Sequence, residues 1–420
     1  MNGPTAVATA VVRGFDPLAN RDFRRWFLCQ ILSSSGGATQ AVGQAWLVLQ
    51  LHGGGTELGM VTGALFLPIL LLGVPFGSLA DRFDRRRVLM VTQTVQLAAA
   101  SLLTILTWSE LITIPEMTVI ALITGLAFAA DAPARQVYVF DLVGPSKIAS
   151  AVGLNEVVIN ASRILGPALG GALLVLTNVS ICFLVNALSF VPTVIVLILM
   201  RSARPIEHDP TSAVRGKGNG ATLREALWFA ASRPSIRTVL LMAVAAGAVY
   251  NIPVVMPLMT TKVFGLDAAA YGAVAAAFGL GALPGAIISA SAGPIPAARN
   301  VRRLVIAMGL AVVACAIAPT VGLFFVCIAV VGGISMWFIA RANAYVMLST
   351  PSHLRGRIMG IWSMALPGMN VVSGLLVGGA AEAWGPRLSY GLVGCCALLV
   401  AGLGWRAMRS APSFSDKDAA

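Results

Sequence analysis

The chain has 420 residues, of which 57% are hydrophobic and only 11% are charged, against roughly 25% charged residues in an ordinary soluble domain. The apolar residues are spread over the whole length, so the composition excludes a soluble enzyme, a disordered chain and a protein with a single membrane anchor. The 29 Lys and Arg residues exceed the 17 Asp and Glu residues and give a net charge of +12.

Twelve apolar runs are each long enough to cross a membrane as a helix, because a hydrocarbon core about 30 Å thick needs about 20 helical residues. The predicted spans are 23–51, 57–80, 88–107, 115–139, 149–176, 179–200, 236–262, 268–293, 303–319, 321–346, 357–383 and 387–407. Every second connection is very short, for example 177–178 and 319–320, so consecutive helices are predicted to be antiparallel neighbours. The sequence therefore predicts an all-α polytopic membrane protein with twelve transmembrane helices.

The basic residues are concentrated in the two tails and in the alternate, longer connections. Five are exceptions, because Lys262 and Arg387 fall in the short connections while Arg135, Arg163 and Arg341 lie inside apolar segments. The positive-inside rule produces this asymmetry, so the charge sets orientation and does not indicate nucleic-acid binding. We predict a multi-pass protein of the cytoplasmic (inner) membrane with both termini in the cytoplasm.

A polar segment, 201–234, divides the predicted spans six and six. The predicted organisation is a six-helix bundle in 1–200, a cytoplasmic linker in 201–234, and a second six-helix bundle with a short tail in 235–420. The halves resemble each other after a shift of 206 residues, which places Arg135 on Arg341 and Pro145 on Pro351. Two pseudo-symmetric repeats around a central linker indicate a transporter whose substrate path lies between the halves.

Two motifs in the first half carry the resemblance to a known family. The loop predicted after the second span, GSLADRFDRRR, contains Gly77, Asp81, Arg82, Arg85 and Arg86, and the fifth span contains Gly153, Gly166, Pro167, Gly170 and Gly171. The first resembles the signature loop of the major facilitator superfamily, although Asp84 stands where the family usually has glycine. The second resembles the antiporter motif of its exporters, in which bare glycines allow close helix packing and proline bends the helix.

Further stretches are similar to the enterobactin-exporter-like and macrolide-efflux-like branch of the drug:proton antiporters. They are the segments that begin at Asn20, Asp131 and Ser162, together with Pro351–Arg357 in the second half. The resemblance implies a gating role for the signature loop, in which Arg85 would pair with Asp131 or Asp141. The first span has Ser35-Gly36-Gly37-Ala38 where that branch often has an acidic residue.

Ionisable residues inside the bilayer cost about 2.5–3.5 kcal/mol each on insertion scales, so those present are expected to be functional or paired. Asp131, Arg135, Glu156 and Arg163 fall within predicted spans, and Arg341 is the repeat partner of Arg135. Glu156 and Arg163 are seven residues apart and share a helix face. They form either a structural pair, or a site in which Arg163 meets a polar cargo group and Glu156 or Asp131 carries a proton. Arg135 and Arg341 are expected to reach the interface or a gate contact.

The seventh span carries a polar pair beside two prolines. Tyr250 and Asn251 precede Pro253 and Pro257 halfway across the predicted span. Prolines four residues apart interrupt a helix and free its carbonyls, which is tolerated in a membrane where the segment lines a cavity. Tyr250 and Asn251 are therefore candidate substrate contacts.

The function predicted from these features is secondary active export of small amphipathic molecules by alternating access, with protons as the coupling ion. The alternatives are a dedicated siderophore or metabolite exporter and, in a different class, a non-transporting membrane sensor or scaffold. The sequence shows neither a nucleotide-binding glycine loop nor a metal-ligand cluster, so we expect no cofactor, no bound metal and no enzyme activity. The expected partners are a small-molecule cargo, protons and lipid, and the expected state is a monomer.

Overall fold

The computed structural model describes residues 16–144, 147–200, 223–291 and 296–409. After a short 3-10 helix at Asp16–Ala19, the long helices of the first half are α1 (Arg21–Gln50), α2 (Gly55–Arg82), α3 (Arg85–Trp108), α4 (Ile114–Val143), α5 (Ile148–Leu176) and α6 (Val179–Leu199). The second half contains α7 (Leu223–Ser232), α8 (Pro234–Val249), α9 (Ile252–Leu258), α10 (Ala268–Ser291), α11 (Ala298–Ile317), α12 (Val321–Leu348), α13 (Ser352–Trp384), α14 (Pro386–Leu403) and α15 (Trp405–Arg409).

Within these ranges, nine helices are long and apolar enough to cross a membrane by themselves. A tenth span is formed by α8, α9 and the π-helical turn Met259–Val263 that follows them, bent by 41° at the break. The remaining two predicted spans correspond to α1 and α13, which are 30 and 33 residues long but carry more polar residues. The twelve predicted spans are thus all helical.

The two halves have the same internal packing. In the N-terminal lobe, α1–α6, helix α1 packs on α5 and α6, α2 packs on α4, and α3 packs on α4 and α6. The C-terminal lobe, α8–α14, repeats each pair: α8 packs on α13 and α14, α10 on α12, and α11 on α12 and α14. The predicted pseudo-symmetric fold is confirmed.

The two ends of the helices differ in their loops. The short-loop face carries the turns 51–54, 109–113, 177–178 and 318–320, and the basic face carries the connections around Arg85, Arg233 and Arg299. The predicted short turns at 177–178 and 319–320 are observed, and each is fixed by a capping side chain: Asn178 accepts from the backbone N–H of Ile181, and Thr320 from that of Leu323. Such caps pair N–H groups that a helix start otherwise leaves unbonded.

The prediction of a loop over the whole signature segment is wrong, because α2 continues to Arg82 and only Phe83 and Asp84 form the turn before α3. Most of the predicted linker, 201–222, lies outside the described residues. Its last part forms α7, an amphipathic helix on which Leu227 and Trp228 are exposed.

Candidate functional site

The lobes meet along two pairs of helices, α2 with α13 and α5 with α10. Close approaches lie toward the short-loop face: Gly55 packs on Gly378, and a Cβ placed at Gly171 would lie 2.8 Å from the Cα of Gly272. Nearer the basic face of the same helices, Gly73 and Gly153 have open space where a Cβ would be. The arrangement of these glycines indicates a structure that is closed at the short-loop face.

Arg163 lies midway along α5, at the point where α5 crosses α10. The proline at position 167 has no N–H to donate to the Arg163 carbonyl, four residues earlier in the helix. This carbonyl packs directly against Gly279 of α10, where a Cβ would not fit. The side chain of Arg163 is half-buried, and its Nη1 atom is buried without a hydrogen-bond partner among the described residues.

Three polar side chains of the C-terminal lobe lie at or beside the break in the seventh span, on the far side of the α5–α10 crossing from Arg163. Tyr250 and Asn251 occupy the break between α8 and α9, and Ser335 lies halfway along α12. The Tyr250 hydroxyl lies within electrostatic range of Arg163 and beside the Ser335 hydroxyl. Its ring packs edge-on against Phe278, with centroids 5.7 Å apart.

These side chains and Arg163 contain two buried polar atoms that have no hydrogen-bond partner in the described part of the chain. They are Oδ1 of Asn251 and Nη1 of Arg163, while the hydroxyls of Tyr250 and Ser335 lie beside each other and have no other partner among the described residues. The Asn251 amide does donate to Ser373 Oγ of α13 at 3.1 Å. Because unpaired buried polar groups are rare and costly, such a set where the two lobes meet has the chemistry of a ligand site.

Glu156 lies two turns from Arg163 on α5, toward the basic face. Its side chain is exposed, and no ion pair joins it to Arg163 among the described residues. The alternative of a structural Glu156–Arg163 pair is therefore not favoured by the geometry. Its exposed carboxylate, two turns from Arg163, has the access that proton exchange needs.

Asp131 lies in a different environment, inside the N-terminal lobe. It is fully buried, and its Oδ1 atom accepts hydrogen bonds from Thr92 Oγ1 at 2.9 Å and Gln93 Nε2 at 2.8 Å. Its Oδ2 atom accepts from Arg135 Nε at 2.9 Å and also contacts Arg135 Nη2. A carboxylate with this many donors stabilises the packing of α3 on α4, so these contacts favour a structural role over proton carriage.

Arg135 therefore meets a carboxylate on its own helix. Its repeat partner, Arg341, lies on α12 and is 7% exposed. Arg135 thus belongs to the interior of the N-terminal lobe, and Arg341 to the buried face of α12, six residues after Ser335.

The signature motif ties helix ends together at the basic face. Arg85 Nη1 donates to both carboxylate oxygens of Asp141 at 2.9 and 2.8 Å, which decides between the two partners expected for it. Arg86 donates to the carbonyls of Leu197 and Ile198 at the end of α6, at 2.6 and 2.9 Å. Asp84, which departs from the family pattern, caps α3 by accepting from the Arg86 N–H at 2.9 Å.

The remaining residues of that motif are described only by their backbone. Gly77, Asp81 and Arg82 belong to the last turns of α2. Their side-chain contacts lie outside the described part of the structure, and a gating role for them stays a prediction.

The glycines of the second motif have different surroundings. Gly166 and Gly170 pack against α1, where Thr39 Oγ1 donates to the Gly166 carbonyl at 3.0 Å. Gly171 faces the other lobe, at Gly272, whereas Gly153 meets open space. The motif therefore serves two interfaces of α5, one within the lobe and one between lobes.

Sequence reasoning did not single out Ser335, Ser373, Thr56 or Glu382. Serine and threonine are common in apolar helices, and nothing along the chain shows that these four lie between the lobes. Among the described residues, no group of three or more His, Cys, Asp or Glu side chains could hold a metal ion.

Comparisons with known proteins agree with this architecture. Residues 12–419 match the model of a family described as transmembrane secretion effector. The chain is 23% identical over 364 residues to the staphyloferrin A transporter of Staphylococcus aureus, in a match that covers 86% of this chain and 89% of that protein. It is 26% identical over 372 residues to the multidrug efflux pump Tap of Mycobacterium tuberculosis, with 86% and 87% covered.

A solved structure has the same fold. It is a bacterial homologue of the human lysosomal transporter Spinster in an inward-facing, unoccupied conformation, with a TM-score of 0.72 at 13% identity, covering 92% of this chain and 96% of that one. The fold comparison and the family match, which spans nearly the whole length, confirm the predicted superfamily. The chain belongs to the transmembrane secretion effector family of major facilitator transporters.

Proposed function

We propose that the chain is a secondary active exporter of small amphipathic molecules, acting as a monomer by alternating access between its two lobes. The observation that carries this proposal is the central group of Arg163, Tyr250, Asn251 and Ser335. It combines buried polar atoms from both lobes beside a helix break in an otherwise apolar span, and Arg163 Nη1 and Asn251 Oδ1 have no partner among the described residues. The similarity to a multidrug efflux pump supports outward movement.

The proposed orientation places the basic face and both termini in the cytoplasm of a cell whose inner membrane holds the protein. The distribution of arginine supports this orientation. The bundles at 1–200 and 235–420 are then the two moving units, and the closed short-loop face makes the structure inward-facing. In this state the central group receives cargo from the cytoplasmic side.

The donors in the central group suggest what the cargo carries. The guanidinium of Arg163 and the hydroxyls of Tyr250 and Ser335 all offer N–H or O–H groups, so a cargo with an anionic or strongly hydrogen-bond-accepting group fits them. Phe278 supplies an aromatic surface beside them. An acceptor group on a largely apolar body is the chemistry that this site favours.

Proton antiport is the proposed driving reaction, with Glu156 as its carrier. Its exposure on the face of α5 below Arg163 supports the assignment. Glu156 and Arg163 lie on the same helix, so the proposal places the proton carrier and the cargo contact on one moving element, α5.

A second candidate function is dedicated export of a siderophore or other metabolite, favoured by the similarity to the staphyloferrin A transporter. A non-transporting sensor or scaffold on the same fold is the candidate from a different class. Proteoliposomes with an imposed pH gradient distinguish the three when tested with lipophilic drugs, a carboxylate siderophore and an uncharged control cargo. Movement of several drugs supports the multidrug pump, movement of the siderophore alone supports the dedicated exporter, and movement of none of them removes the export proposal.

The role of Arg163 is tested in the same vesicles. We expect Arg163→Gln to weaken binding of an anionic cargo by roughly 10- to 150-fold, because a hydrogen bond to a charged group contributes about 1.5–3 kcal/mol. Arg163→Lys keeps the charge and is expected to retain part of the affinity. Equal affinities in the wild type and Arg163→Gln, measured by binding of labelled cargo, would remove Arg163 from the site.

A further inference from the structure

One polar contact joins the two lobes at the short-loop face. The Glu382 carboxylate, in the last turn of α13, accepts a hydrogen bond from the Thr56 backbone N–H at 3.1 Å and another from Thr56 Oγ1 at 2.6 Å. Thr56 lies in the first turn of α2, in the other lobe. The first N–H groups of a helix have no partner within it, and the positive end of the helix dipole favours an anion, so Glu382 caps α2 from across the interface.

The contact depends on how close α2 and α13 lie. Gly55 packs on Gly378 and Gly59 on Gly374, and at neither crossing would a Cβ on the α2 glycine fit. These glycines allow the two helices to approach until the carboxylate reaches Thr56. A separation of the two helices at this end would break both hydrogen bonds.

Other charged groups surround the carboxylate. Lys262, from the π-helical turn after α9, interacts with it electrostatically. His52 and Glu57 line the same cavity, about 700 Å³ in volume, beneath the short-loop face. Glu57 is occupied within its own lobe, where it accepts from the Gly54 N–H at 2.7 Å. Glu382 thus differs from its acidic neighbour in bridging the lobes.

We propose that Glu382 is a positioning residue of the transport cycle, and that its contact with Thr56 is the latch that holds the short-loop face closed while cargo enters from the opposite side. This inference rests on the proposed alternating-access function. The latch sets the balance between the two conformations and does not touch the cargo.

The latch is tested by measuring the distance between two spin labels at the short-loop face. Cysteines at the exposed positions Ser109 and Thr320, one in each lobe, are labelled in a background without the six native cysteines, in nanodiscs without cargo or pH gradient. We expect Glu382→Ala to raise the ratio of open to closed molecules roughly tenfold, as expected for losing charge-assisted hydrogen bonds. A distribution identical to that of the unsubstituted chain would overturn the proposal.

Two further variants separate the latch from a general loss of packing. Thr56→Val removes only the hydroxyl donor, so we expect a smaller increase in the ratio of open to closed molecules than in Glu382→Ala. Thr56→Ser keeps the hydroxyl, and we expect it to have the ratio of the unsubstituted chain. Glu57→Ala removes the neighbouring carboxylate, whose hydrogen bond to Gly54 lies within one lobe, so we expect less than a twofold change in the ratio of open to closed molecules. An equal shift from Glu57→Ala would contradict a specific role for Glu382.

The distance measurement also keeps the latch distinct from export. A shift caused by Glu382→Ala in a protein that moves none of the tested cargoes would support the latch and count against the exporter. Export by the wild type without any shift in Glu382→Ala would overturn the latch and leave the exporter standing.

Discussion

Buried or membrane-embedded charges have different roles at different positions of this chain. Both carboxylate oxygens of Asp131 accept hydrogen bonds, so it forms part of the packing of its lobe. Glu156 is exposed, and Arg163 keeps a buried N–H without a partner among the described residues. Sequence position indicated only that all three were costly, because the number of donors around a carboxylate depends on neighbouring helices.

Exposure makes Glu156 the residue at which proton coupling is best tested. We expect Glu156→Gln to abolish the acceleration of export by an imposed pH gradient, since an amide takes up no proton in this range, while exchange of cargo between the two sides of the membrane continues. Cargo flux into proteoliposomes with and without the gradient measures this difference. Glu116→Gln is the matched control, because Glu116 caps the start of α4 at the short-loop face and lies away from the central group. A Glu156→Gln variant that still responds fully to the gradient would exclude Glu156 as the carrier.

At the level of helix packing, the glycines of α5 have different neighbours. The glycines of α5 follow one sequence motif, yet Gly171 contacts the opposite lobe and Gly153 meets open space. The sequence predicted the motif and the proline bend, but the partner of each glycine depends on how α5 crosses α1 and α10. A linear pattern does not contain that information.

This difference between two glycines of one helix leads to a paired prediction. We expect Gly171→Ala to reduce export at least about fivefold, because a methyl group 2.8 Å from the Gly272 Cα forces the lobes apart and overpacking costs about 1–3 kcal/mol. Gly153→Ala adds the same methyl group where there is room, so export close to the wild-type rate is expected. Initial export rates, normalised to folded protein, provide the comparison. Similar losses in both variants would show that helix propensity or folding, and not the interlobe crossing, causes the effect.

The break in the seventh span was predicted from the sequence, whereas the residues that surround it were not. Two prolines predicted an interruption near 250, and the chain bends by 41° between α8 and α9. The presence of Ser335 and Ser373 beside the break was not predictable, because each serine lies more than 80 residues after Asn251 in the chain. The contact between Thr56 and Glu382 was missed for the same reason.

Across the whole molecule, the fold followed from composition, span length and the internal repeat. All twelve predicted spans are helical, and each pair of packed helices in one lobe has its counterpart in the other. Two further properties concern the whole molecule. Its orientation in the membrane is predicted from the distribution of arginine, and the face at which it is closed depends on which ends of α2, α5, α10 and α13 lie in contact.

Orientation is tested with single cysteines in a chain that lacks the six native ones. We expect a membrane-impermeant maleimide to label Ser109→Cys in intact cells, because the short-loop face is predicted to point outward. Arg87→Cys, at the basic face where the native side chain is 82% exposed, should react only after the cells are opened. Asn178→Cys lies in another turn of the short-loop face, so we expect it to be labelled in intact cells as Ser109→Cys is. The reverse labelling pattern would invert the proposed direction of transport.

Arg163 takes part in two interfaces through different parts of the same residue. Its side chain points a donor at the central group, and its carbonyl, left without a helix donor by Pro167, presses on Gly279 of the other lobe. A substitution at position 163 changes the donor offered to the cargo but leaves the backbone carbonyl that packs on Gly279 in place. Selection for a new cargo can therefore act on this side chain without removing the packing of α5 on α10.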